Sequence, residues 1–188
     1  LHEEIANYYL SEFLTDEGFD LIGLIDKDFF SAARLLFNNQ HFVSCAKLLM
    51  STVDSISFLE YGDISNRVIF KDWINKYCDF STLGITVDEL WEYRSSILHM
   101  TNSYSRTVKK MKVSPIQFYV SSEQLPDFTG DVETKYFNLR TLISIISDGV
   151  SKWSESFNNE RSKFSDFVDR YDLITSDIRY NKIHKKSP

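Results

Sequence analysis

The sequence predicts an all-α bundle of five to seven helices with at most one short extended segment, and three observations carry that reading. Six glycines and three prolines among 188 residues leave little material for the turns of a β protein. Apolar residues recur at spacings of three and four along most of the chain, the period of a helix with one buried face. Aromatic residues make up 15% of the chain, including 15 Phe and 10 Tyr, so large rings should dominate the packing of a single core of ordinary size.

Taken in order, Ile5, Tyr8, Tyr9 and Phe13 suggest a short first helix that ends by Gly18. Phe29, Phe30, Ala33, Leu36 and Phe37 mark a second helix, stopped by the polar run Asn38-Asn39-Gln40. Phe42, Cys45, Ala46, Leu49, Val53 and Ile56 then carry a longer helix to about Tyr61. Two amphipathic helices joined by a few polar residues should fold back as an αα-hairpin. Phe70, Trp73, Ile74 and Tyr77 mark the next helix. The stretch 86–99 has its start written in: Thr86 is a good N-cap, and Glu89 three residues later completes a capping box. After Met100 comes a polar run that competes for backbone hydrogen bonds, so this helix should end or bend there. Residues 113–120, with Pro115, read as an extended connection or one edge strand. Leu139, Leu142, Ile143, Ile146, Val150, Trp153 and Phe157 form the most regular helical stripe, and Phe164, Phe167, Val168, Tyr171, Ile174 and Ile178 form a last one. The whole, 1–188, is read as one domain, with helices over about 134–180 packed on the earlier ones.

Within 86–99, Val87, Leu90, Trp91, Ile97 and Leu98 fall on one arc roughly 120° wide at about 100° per residue. Arg94 projects to the centre of that arc. A charge in an apolar stripe is costly without a partner. That partner is a carboxylate at the core edge (Asp72, Asp79 or another), a second subunit or a ligand. His99 projects to the polar side with Asp88, Glu92 and Ser95, about 140° from Arg94 and roughly 7.5 Å further along the axis. As a residue near a helix C-terminus, protonated His99 would also interact favourably with the helix dipole.

Net charge is −6, which by itself argues mildly against nucleic acid as a partner. Its distribution says more. Residues 93–122 contain no Asp or Glu but hold Arg94, Arg106, Lys109, Lys110 and Lys112, plus His99. The segment after Asp177 is also basic, with Arg179, Lys182, His184, Lys185 and Lys186. Such runs are either solvated faces or phosphate-facing surfaces. The two cysteines, Cys45 and Cys78, lie on apolar-periodic stretches and read as reduced core residues, and no Cys or His pair has zinc-ligand spacing. No apolar run approaches the roughly 18 residues of a membrane helix, and the first residues lack a basic-then-apolar signal pattern. The expected location is cytoplasmic.

The pattern Leu90-Trp91-x-x-Arg94-x-x-x-x-His99 resembles the Arg-x-x-x-x-His signature of HEPN domains. Upstream, the stretch 32–46 is similar to that family's opening helix–turn–helix pair, and Phe70-x-x-Trp73-Ile74-x-x-Tyr77 resembles an aromatic stretch seen before the motif in some members. The likeness covers about 28–105. It implies a small all-α module, often a metal-independent ribonuclease of toxin–antitoxin or antiphage systems, and generally a dimer with both motifs at the interface. By that likeness Arg94 and His99 are the catalytic pair and Ser95 assists, standing where Asn, His or Asp is common. Arg106, Lys109, Lys110 and Lys112 would contact RNA, and no metal or other cofactor is expected. The implied partners are RNA, a second copy through the helix over 86–100, and an antitoxin or other protein, with no membrane.

The chemistry suits the residues. Cleavage by internal transfer needs the 2′-hydroxyl deprotonated, a phosphorane stabilised and the 5′-oxygen protonated. Histidine titrates near neutrality and suits the proton transfers. Arginine offers a permanent charge and a fixed fork of donors to the phosphorane. The alternative is a non-catalytic HEPN-like module binding RNA, a nucleotide or a protein, and a third reading is a helical scaffold.

Overall fold

The computed structural model describes residues 11–16, 18–100, 108, 113–121 and 133–174. Among these the molecule is a bundle of six helices with two small strand pairs. The expected all-α architecture is present.

The first described element is a 3₁₀ turn, Ser11–Phe13, leading into a two-residue hairpin in which β1 (Leu14–Thr15) pairs antiparallel with β2 (Gly18–Phe19). A helix was expected here; residues 1–10 lie outside the described residues, and 11–13 make only the tighter turn. Helix α1 then starts earlier than the periodicity from Phe29 suggests. It runs as an α segment Leu21–Ile25, a π-helical segment Asp26–Phe30 and an α segment Ser31–Asn38. Asp20 caps it, accepting a hydrogen bond from the Gly23 N–H at 2.8 Å. The wider π turn shifts the helical phase, which hides the link to Leu21, Leu24 and Ile25 from a fixed-period reading.

The αα-hairpin forms as expected. Gln40, at φ 61°, reverses the chain in the left-handed region, and α2 (Phe42–Tyr61) returns from it. This helix touches each of the other five helices among the described residues and is the axis of the bundle. Cys45, Ala46, Leu49, Met50, Val53, Ile56 and Leu59 are all buried along it. It is also the one helix among the described residues long and apolar enough to cross a membrane, contrary to the expectation that no such stretch exists. Half of it is buried by its neighbours, and its charged Asp54 and Glu60 are paired inside the protein. A core helix and a membrane helix pass the same test of composition, and packing supplies the reason for the apolar surface here.

Helix α3 (Asn66–Tyr77) packs on α2 and buries Phe70, Trp73 and Ile74, and α4 (Val87–Met100) follows a loop. The expected connection near 113–120 is a strand, β3 (Ile116–Tyr119), but it is not alone. It pairs in parallel with β4 (Lys135–Asn138), Ile116 opposite Lys135 and Tyr119 opposite Asn138. Strand β4 leads directly into α5 (Leu139–Asn159), with Asn138 as N-cap, and α6 (Lys163–Ile174) closes the described chain. Four residues directly before a long helical stripe offer too little alternation to reveal a strand.

One core runs from Phe13 to Tyr171 through every helix. Its far end is aromatic: Trp153 and Phe157 meet at 5.2 Å, and Phe157 and Phe164 at 5.0 Å, both edge to face. A polar hub ties four helices together beside it. The Glu60 carboxylate of α2 accepts from Lys76 (3.0 Å) and Tyr77 Oη (2.8 Å) of α3, Trp153 Nε1 (2.9 Å) of α5 and Lys163 (2.9 Å) of α6. Burial alone would raise this carboxyl. The hydrogen bonds from Lys163, Trp153, Lys76 and Tyr77 outweigh it and bring the carboxyl down to about 2. Arg170 of α6 donates to the carbonyls of Leu59 and Glu60, satisfying groups that the end of α2 leaves open.

Candidate functional site

Helix α4 begins as its sequence specifies. The Thr86 N–H donates to Glu89 Oε2 at 2.7 Å, and the Glu89 N–H donates to Thr86 Oγ1 at 3.2 Å, the reciprocal pair of a capping box. Lys71 and Arg67 of α3 reach Asp88 in the first turn.

The face that α4 buries differs from the projected one. Leu90, Tyr93 and Ile97 face the core, flanked by Glu89, Glu92 and Ser96, so the buried face is centred near Tyr93. Val87, Trp91, Arg94 and Leu98 form a half-buried flank instead. Arg94 therefore stands at the edge of the bundle. The apolar count misled because the polar residues Glu89, Glu92 and Ser96 share the buried side. Glu89 meets Lys135 at 2.7 Å, and the Ser96 hydroxyl donates to the Glu92 carbonyl at 3.0 Å.

Arg94 finds its partner within the chain. Its Nε donates to Asp54 Oδ2 at 2.8 Å and Oδ1 at 3.1 Å, and its Nη2 donates to Oδ2 at 2.5 Å. The guanidinium also lies 5.1 Å from the centre of the Trp91 ring, whose other neighbour is Phe70 at 5.3 Å. Both charged side chains are mostly covered, with 15% exposure for Arg94 and 22% for Asp54. Burial pushes the Asp54 carboxyl above the usual range, and the Arg94 hydrogen bonds pull the other way without cancelling it. Among the described residues Nη1 makes no hydrogen bond. The carboxylate is Asp54 and neither of those singled out in advance: Asp72 is exposed, and Asp79 accepts from the Ser81 N–H. The signal for Asp54 was present in the sequence. It is a carboxylate in the one helix among the described residues apolar enough to cross a membrane, and the rule that flagged Arg94 applies to it equally.

His99 is exposed on the last turn of α4. The helix is regular through Met100, so no distortion among the described residues turns His99 toward Arg94, and the two side chains diverge. The Ser95 hydroxyl donates to the Trp91 carbonyl at 3.1 Å, a bond within its own helix. Arg106, Lys109, Lys110 and Lys112 lie outside the described residues, as do Arg179, Lys182, His184, Lys185 and Lys186. Within one chain Arg94 thus meets Asp54 and Trp91, neither of them an expected site residue, and His99 stands apart.

Both cysteines are free, and burial raises each thiol, Cys78 to about 12, which leaves them poor nucleophiles.

No family model, no curated protein and no solved structure matches the chain.

Proposed function

We propose that this chain is a HEPN-type endoribonuclease that works without a metal and acts as a homodimer in the cytoplasm, serving as a toxin or defence component. The observation that carries the reading is the arrangement on α4. One capped helix carries a charge-fixed arginine with a donor group to spare and, at its end, a solvent-accessible histidine.

In this mechanism the 2′-oxygen attacks phosphorus and the bond from phosphorus to the 5′-oxygen breaks. A 2′,3′-cyclic phosphate and a free 5′-hydroxyl result. Arg94 stabilises the charge on the phosphorane. One His99 accepts the 2′-hydroxyl proton, and a second, protonated His99 donates to the departing 5′-oxygen. Two such groups require two chains. The half-buried flank of Val87, Trp91 and Leu98 around Arg94 supports pairing of two copies through α4. Arg106, Lys109, Lys110 and Lys112 would extend the phosphate-binding surface. Ser95 assists only by releasing the Trp91 carbonyl.

A second reading, a non-catalytic module that binds RNA, a nucleotide or a protein such as an antitoxin, is favoured by the Arg94–Asp54 pair. That pair neutralises the arginine inside one chain, so Arg94 needs no second subunit to be stable. Incubating the purified chain with varied RNAs in EDTA separates the two. Cleavage lost in both Arg94→Ala and His99→Ala supports the nuclease, and a folded dimer that binds RNA without cutting it supports the module.

A further inference from the structure

We propose that Asp54 is a built-in competitor for the anion that Arg94 binds, so that the site rests in a self-blocked state. The inference takes from the reading above only that Arg94 meets a phosphate. A guanidinium grips a carboxylate and a phosphate through the same planar fork of donors. In the resting protein Nε and Nη2 are both committed to Asp54, at 2.8 and 2.5 Å. A phosphodiester can displace that carboxylate and take its donors. It can also dock on the remaining Nη1 edge while Asp54 stays. The second arrangement places two negative charges on one positive charge, beside side chains only 15% and 22% exposed. Poor solvation makes that surplus charge costly. That cost disfavours the second arrangement, so the ligand must displace Asp54 and Asp54 opposes it.

Burial already holds the Asp54 carboxyl above its usual range even with Arg94 beside it, so its anion is incompletely compensated at rest. The competitor sits on α2, the axis of the bundle, and cannot move far without disturbing the core. Exchange therefore occurs by swinging the Arg94 side chain on its flexible stem from carboxylate to phosphate, with α2 and α4 left in place.

The test uses the full chain and a fluorescent 2′-O-methyl oligouridylate, which carries phosphodiesters but cannot be cleaved by internal transfer. Asp54→Asn keeps the shape and an acceptor oxygen but removes the charge. It should tighten binding about tenfold or more, the scale expected for deleting one nearby like charge. Adding Arg94→Gln to that variant should abolish the gain. In the wild-type chain the Arg94 Nε–H resonance should move on saturation, reporting loss of the carboxylate partner. This second reading keeps the test decisive if Asp54→Asn does not fold. Unchanged or weaker binding by folded Asp54→Asn, a stationary Nε–H resonance in the RNA-bound wild type, or no binding by either protein would overturn the proposal. The outcome is separable from the nuclease reading. Tighter binding by Asp54→Asn with no cleavage of ordinary RNA keeps the competitor and removes the nuclease. Cleavage by the wild type with no gain in Asp54→Asn does the reverse.

Discussion

At the scale of single residues, two carboxylates on one apolar helix meet opposite fates. Glu60 is only 4% exposed, yet four donors hold its carboxyl at about 2, below the ordinary 4.5. A lowered carboxyl stabilises the fold at pH above the ordinary value and loses that contribution as pH falls toward about 2. Glu60→Gln should therefore cost about 3 kcal/mol at neutral pH, from a shift worth about 1.4 kcal/mol per unit. The gap between the two proteins should close as urea melts are repeated from about pH 5 down to about pH 2. A gap independent of pH would show that the carboxylate charge is not what matters. Asp54 has one cation, and burial still holds its carboxyl above the usual range. Arg94→Ala strands it, and should cost about 1–3 kcal/mol, part of which Arg94→Ala/Asp54→Ala should restore. His99→Ala removes an exposed side chain and should leave the melting midpoint within experimental error.

At the scale of elements, what the sequence made legible was whatever is encoded within one turn of helix. The Thr86–Glu89 box and the helix from Phe42 to about Tyr61 follow from local signals, and both appear as expected. Legibility failed where a partner decides. The buried face of α4 includes Glu89 because Lys135, 46 residues away, meets it, and no period within α4 carries that information. The start of α1 was hidden by a π turn, and β4 by its adjoining helix. For the site, Arg94 is legible as an oddity, but its partner Asp54 lies 40 residues away on α2, beyond any spacing within α4. The packing of α5 on α3 yields a sharp expectation. Gly149 is buried, and a methyl group there would stand 2.6 Å from Cys78 Sγ and 3.3 Å from the Trp73 ring. Gly149→Ala should lower stability by about 1–3 kcal/mol through overpacking, despite alanine's better helix propensity. Thermal melts showing stabilisation instead would mean that α5 can move away from α3.

At the scale of the whole molecule, a single core from Phe13 to Tyr171 holds α4 with its Arg94 flank at the edge of the bundle. In the proposed nuclease, assembly is the condition for function, because Arg94 and His99 of one chain diverge on a regular helix. Sedimentation at tens of micromolar should show a dimer, and Leu98→Glu on the flank should dissociate it while leaving the monomer folded. A dimer unaffected by Leu98→Glu would place the contact on another surface. The most direct measurement is an RNA cleavage assay in EDTA with the wild-type chain, Arg94→Ala and His99→Ala, reading the chemistry of the product ends. The wild type alone should cleave, leaving 2′,3′-cyclic phosphates. Cleavage that requires Mg²⁺, equal cutting of DNA, or undiminished activity in folded His99→Ala would contradict it.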